Sequence, residues 1–152
     1  MNYIQEKKPK VVIFVQRDKH DENDFNEIIG EIEDVNISFL LIGRVPQWKG
    51  GAPLKIAYGK LNSEDPYADQ VVSHLFAVDD RAKSVYDGDH RLSYISVLDN
   101  LWLKDLRCIV YVDEDKNALH MDNSHLSLEG SVYLVDKYLG PEITAIFRLN
   151  PN

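Results

Sequence analysis

Asp122 and His125 stand three residues apart in the stretch MDNSHLSLEGSVYLVDKYLG, from Met121 to Gly140. A turn at that spacing brings a carboxylate to an imidazole. A carboxylate on Nδ1–H fixes the tautomer of the ring, leaves Nε2 as a base, and stabilises the imidazolium that forms when Nε2 takes a proton. Acyl transfer through serine needs both functions, because a free hydroxyl is a weak nucleophile. The spacing also has an ordinary alternative, a turn acid beside a surface histidine. Ser127 follows at the head of an amphipathic pattern, with Glu129 in the first turn. It reads as the N-cap of a helix over about 127–139. Gly140 and Pro141 then supply both stop signals.

Other residues invite chemistry less specifically. His120, Asp122 and His125 offer His and carboxylate ligands for a small transition-metal site. No fourth ligand is evident, so no metal and no cofactor is expected. The clusters RDKHDEND and YDGDH lack the spacing of a calcium loop and read as turns and helix starts. Trp48 is the candidate substrate-binding residue, an aromatic set to line an acceptor-sugar site. Its ordinary role is an anchor that packs its loop onto the sheet. The lone cysteine, Cys108, excludes an internal disulfide and a cysteine-rich zinc site. It reads as a half-buried strand residue.

These residues need a scaffold. The chain has 152 residues, 44% of them hydrophobic and 28% charged, which suits one ordinary globular domain over 1–152. A net charge of −8 argues against a nucleic-acid partner or an anionic membrane surface. No apolar run reaches the roughly 20 residues of a membrane span. The start, MNYIQEKKPK, has no apolar core like that of a signal peptide.

The elements read in order. VVIFV, Val11 to Val15, is a continuous β-branched run that suits a strand buried on both faces. Phe25, Ile28, Ile29 and Ile32 fall on one helical face. NISFLLIG is a second buried strand. The order β-α-β implies a right-handed crossover and a parallel sheet. A Pro/Gly-marked loop then runs from Arg44 to about Asp65. It starts at the carboxyl end of a strand, where open α/β sheets bind ligands. A helix is predicted from Pro66 to about Tyr86, and RLSYISVL as a third strand. Cys108 to Val112 read as a short fourth strand, DEDKN as a turn, and ALHM as its return. EITAIFRL reads as a final strand or an extended tail.

The block MDNSHLSLEGS closely resembles the Asp-x-x-His-Leu-Ser-x-x-Gly-Ala block of SGNH (GDSL-like) hydrolases. It looks most like the SGNH domains of membrane O-acyltransferases that modify bacterial surface polysaccharides. KPKVVIFVQRD resembles the third sheet strand of that family. FLLIGRVPQW resembles the next, and LSYISVLDNLW the strand leading to the catalytic turn. The resemblance implies an α/β fold, the later part of a three-layer α/β/α domain with a mainly parallel sheet and its N-terminal strands missing. It implies His125 as catalytic histidine, Asp122 as its acid partner, and Ser127 as the helix cap. It also implies a glycan or acyl-ester substrate and an extracytoplasmic location.

The nucleophile of that family lies in a Gly-Asp-Ser block on its first strand, and this sequence has no such block upstream of Val11. Ser38, Ser73, Ser84 and Ser124 do not replace it, since none follows a strand end in a Gly-rich turn. The family's cysteine pair before the Asp-His block is also absent, with only Cys108 present. The expectation is therefore a chain that carries the Asp-His pair without the nucleophilic serine and is inactive alone. It would be marginal in isolation, joined by a partner, or part of a longer reading frame, and a remaining strand would present an open apolar edge. The alternative is a non-catalytic α/β interaction module.

Overall fold

The computed structural model describes residues 2–15, 25–32, 36–48, 74–86, 91–102 and 108–149. The clusters RDKHDEND and YDGDH, Ser73, and the loop beyond Trp48 lie outside these residues, apart from Tyr86. The chain divides into two compact units, Met1–Arg44 with Ser73–Leu98, and Val45–Val72 with Asp99–Asn152.

The first unit is α/β. Helix α1 (Asn2–Lys7) precedes strand β1 (Val11–Val15), α2 (Phe25–Gly30), β2 (Ser38–Ile42), α3 (His74–Tyr86) and β3 (Leu92–Ile95). The three strands form a parallel sheet in the order β1-β2-β3. β2 lies at the centre, and Phe39 to Ile42 are all buried. One face of the sheet carries the core, where Phe39, Leu41 and Leu92 meet Phe25 and Ile29 of α2 and Ala82 and Tyr86 of α3. Ile32 and Ile37 complete it. The predicted α2 stripe is the one that is buried, because positions three and four apart share a face. Arg91 secures the end of α2. Its guanidinium donates to the carbonyls of Ile29 and Ile32 at 3.2 Å each, serving groups that a helix end leaves open.

β1 departs from the expectation of burial on both faces. It is the edge strand, and on its outer row Ile13 is 47% and Val15 73% exposed. Its other row, Val12 and Phe14, packs against the core. Among the described residues β1 pairs with β2 alone.

α3 buries Leu75, Asp79, Ala82 and Tyr86. Asp79 is a buried acid that the apolar pattern did not reveal. It accepts from Tyr94 Oη at 2.6 Å, Ser96 Oγ at 2.7 Å and Lys83 Nζ at 2.8 Å. A buried carboxylate is tolerable only with such partners. The third strand stops at Ile95, short of the predicted Leu98, because Ser96 turns its hydroxyl to Asp79 and Val97–Leu101 forms helix α4.

The second unit holds no regular strand among its described residues. Cys108 to Val112 are not a strand but carry isolated antiparallel bridges, Trp102 to Cys108 and Tyr111 to Ala118. The predicted return does occur, with Val112 N–H on Asn117 C=O and Leu119 N–H on Val110 C=O. The DEDKN turn is closed by Asp113, which accepts from the backbone and side-chain nitrogens of Asn117. The last helix begins as expected, with α5 at Leu128–Leu134 capped by Ser127. It does not stop at Gly140. A π-helical turn, Val135–Leu139, leads into α6, Gly140–Leu149. Pro141 cannot donate a hydrogen bond, and its ring would strike the carbonyl four residues back. The wider turn relieves this, since Gly140 N–H reaches Val135 C=O five residues back. A Cβ on Gly140 would sit 2.9 Å from that oxygen, so glycine permits the turn. EITAIFRL is accordingly helical, not a strand or tail.

Asp79→Ala removes the acceptor of three donors in one step. It is expected to destabilise the protein by about 2–4 kcal/mol, read as a lower urea midpoint. A midpoint equal to that of the wild type would show that the network contributes nothing.

Candidate active site

The second unit places Asp122 and His125 at the end of a hairpin. His120 bridges Leu126, Met121 N–H donates to His125 C=O at 3.0 Å, and Ser127 N–H donates to Leu119 C=O at 2.9 Å. The chain reverses between these bonds, at Asp122 to Ser124. Asp122 builds the reversal from inside. Its Oδ1 accepts the N–H of Ser124 at 2.8 Å and of His125 at 2.7 Å, an Asx turn. Its Oδ2 lies 2.6 Å from His125 Nδ1.

The two Asp122 oxygens therefore face three donors. The Ser124 N–H contributes most, then the His125 side chain, then its backbone N–H, and together they lower the Asp122 carboxyl from the ordinary range to about 2. The carboxylate stays ionised at any physiological pH. An ionised carboxylate can only accept, so His125 carries its proton on Nδ1. Nε2 is left as the base. It has no hydrogen-bond partner among the described residues, and the side chain is 62% exposed. An orienting acid, a fixed tautomer and an open Nε2 are what general acid–base catalysis asks of a histidine.

Ser127 is the cap, as its sequence position implied. Its Oγ donates to Ala118 C=O at 2.6 Å and accepts Gly130 N–H at 2.9 Å. Both uses hold it in the scaffold, away from a nucleophile's role. Gly130 has its own reason to be glycine. It sits against the backbone of Leu119, and a Cβ there would overlap the Leu119 carbonyl oxygen. Helix α5 thus lies directly on the extended segment that enters the turn.

Trp48, offered by the sequence as substrate-binding, is 3% exposed. Its Nε1–H donates to His120 Nδ1 at 3.3 Å and its backbone N–H to Asn123 C=O at 2.9 Å. The structure puts it in the anchor's place, holding the 45–48 segment to the hairpin. His120 is buried between that indole and the Pro46 carbonyl, 3.0 Å from Nε2. An indole only donates and a carbonyl only accepts, so the ring is the neutral Nε2–H tautomer. Burial is the main cause that lowers His120 to about 4, against smaller opposing effects of the Pro46 bond and the Asp122 charge. With both nitrogens occupied, His120 is no ligand. Among the described residues no three His, Cys, Asp or Glu side chains are arranged to hold a metal ion. Cys108 is fully buried, beyond the half-burial expected, and desolvation pushes its thiol up to about 12. It remains protonated and is a poor nucleophile.

No protein-family model matches the chain, and no curated protein matches it by sequence. Its fold is similar to a solved structure described as the lipopolysaccharide acetyltransferase periplasmic domain of Salmonella ser. Paratyphi A, with a TM-score of 0.74 and 22% identity. The likeness covers 94% of this chain and 60% of that one. No helix among the described residues is long and apolar enough to cross a membrane.

The two strongest local constraints are open to test. Gly130→Ala forces α5 off the Leu119 backbone and is expected to cost about 2–4 kcal/mol, in the range of severe overpacking, seen as a lower thermal midpoint. His120 binds its proton less readily when folded than when unfolded, near 6.5. Between about 4 and 6.5 the unfolded chain therefore holds more protons, and stability rises with pH. The expected loss on going from pH 7 to pH 4 is on the order of 3 kcal/mol. Urea unfolding at a series of pH values should show it, and His120→Gln should abolish that slope. A slope that persists in the variant would assign it to other groups.

Proposed function

We propose that this chain supplies the acid–base pair of an acyl-transfer site acting on a glycan hydroxyl or its ester. The observation that carries the reading is the 2.6 Å contact between Asp122 Oδ2 and His125 Nδ1, with Nε2 open. His125 acts as base toward a serine hydroxyl, taking its proton as the oxygen attacks the acyl carbonyl. It returns the proton to the leaving group. In the second half-reaction it takes a proton from the acceptor hydroxyl and delivers it to the departing serine. Asp122 orients the ring and stabilises its charged form.

Two further supports agree with this. The DNSHLSLEG block resembles that of SGNH acyltransferases and hydrolases, and the neighbouring fold is described as an acetyltransferase domain acting on lipopolysaccharide. That neighbour is covered over 60% of its length, so the activity of the complete protein is carried over here as a proposal. The serine is proposed to come from outside the residues described. Ser127 is a cap, and no described side chain bonds His125 Nε2. The same fact favours a second reading, a binding module that kept the turn without catalysis.

One measurement tests whether the purified chain carries a reactive serine, and a second separates the two readings. A fluorophosphonate probe should leave the purified chain unlabelled. In the organism of origin, His125→Ala is expected to remove O-acyl groups from a surface glycan, measured by NMR of the extracted polysaccharide, by a factor of about 10³ or more in rate. Asp122→Asn should follow with a loss of about 10²–10⁴. Glycan acylation that survives His125→Ala would sink the catalytic reading and leave the binding module.

A further inference from the structure

Two residues flank Asp122 in the chain, and both grip Trp48. His120, two positions before it, accepts the indole Nε1–H. Asn123, one position after it, accepts the Trp48 backbone N–H. The second nitrogen of His120 donates to Pro46 C=O, so one ring fastens both ends of the tripeptide 46–48. We propose that His120 is a positioning residue for the Asp122–His125 pair, its neutral imidazole latching residues 46–48 onto the turn and so holding His125 in one tautomer and orientation. The role rests on reading the pair as acid and base. His120 touches neither substrate nor reacting atoms.

The need for a latch follows from exposure. Asp122 and His125 are both solvent-accessible, and packing does little to fix either side chain. Ser127 and Gly130 fix the stem of the hairpin to α5, but these bonds do not reach the reversal at Asp122 to Ser124, and productive geometry tolerates only about 0.5 Å of error. Trp48 offers what the turn lacks, a large rigid body buried on all sides. His120 and Asn123 connect the turn to it on both sides of Asp122. Leucine at 120 would leave an indole N–H and a carbonyl unpaired in a buried place, a costly state that segment 46–48 relieves by moving away. The Asn123 bond would move with it. Glutamine is different, because its amide can accept from Trp48 and donate to Pro46.

Two-bond ¹H–¹⁵N NMR reads each histidine tautomer from carbon-bound protons, so the exposure of His125 does not erase the signal. At pH 9 the wild-type chain should show opposite tautomers, Nδ1–H at His125 and Nε2–H at His120. His120→Leu is expected to move His125 to the averaged pattern of an imidazole exchanging between both forms. Trp48→Phe, which keeps a buried aromatic ring but deletes the indole N–H together with part of the ring volume, should move it part of the way. His120→Gln should leave it fixed. If His120→Leu does not fold, Trp48→Phe decides alone. A His125 tautomer unchanged in the folded variants lacking the indole bond overturns the latch. Tautomer and turnover fail separately: the His125 tautomer in the His120 and Trp48 variants tests the latch, whereas glycan acylation that survives His125→Ala refutes only the acyl-transfer reading.

Discussion

The Asp122 carboxylate is the constraint on which the site depends. Exposed ion pairs contribute little by themselves, because water competes for both partners. This pair is held differently. One Asp122 oxygen bonds two backbone N–H groups that the chain reversal itself creates, and only the other serves His125. The acid is part of the turn before it is part of the pair. Asparagine could keep the Asx turn with its one carbonyl oxygen, but its NH₂ would then face the ring nitrogen. The ring would have to accept there and carry its proton on Nε2, which is the wrong end for a base.

The turn is in turn fixed to its surroundings by groups with no chemistry of their own. The Leu119 carbonyl accepts from Ser127 N–H, and the same stretch of backbone lies against Gly130. Ser127 joins the entering segment to the helix through one hydroxyl, donating to Ala118 and accepting from Gly130. A serine with only one of these bonds would cap the helix without placing it. A residue larger than glycine at 130 would place the helix elsewhere. The block from Asp122 to Gly130 therefore works as one object, in which Asp122, Asn123, Ser127 and Gly130 each answer a distinct steric or hydrogen-bonding demand.

What the sequence made legible is what local rules decide. VVIFV and SFLLI are strands because short β-branched and apolar runs bury well in a parallel sheet, and the Phe25-Ile28-Ile29-Ile32 stripe faces the core because its spacing is helical. The Asp122–His125 contact and the Ser127 cap involve residues three apart. The misread features are those where a distant or unusual contact prevails. β1 looks fully buried, but only its Val12 and Phe14 row packs on the core, and the Ile13 and Val15 row on the other face is exposed. β3 ends early because Ser96 answers to Asp79, seventeen residues away. Gly140-Pro141 reads as a stop, yet a π turn removes the clash that makes it one. His120 and Trp48 are separated by 72 positions, and only the fold shows that they satisfy each other.

The inventory of reactive groups gives the site its direction. The Ser127 hydroxyl is engaged on both sides, the Ser96 hydroxyl serves Asp79, and the Cys108 thiol is kept protonated by burial. His120 has both nitrogens occupied. His125 Nε2 contrasts with all of them. The chain fixes the tautomer of that ring, aims a permanently ionised acid at its other nitrogen, and leaves the basic atom toward solvent. His120 is buried and needs protein partners at both nitrogens, whereas the exposed Nε2 of His125 is served by water and stays accessible to an arriving group. A hydroxyl nucleophile is the arriving group that such an arrangement suits, because it is the group whose reactivity most needs a base.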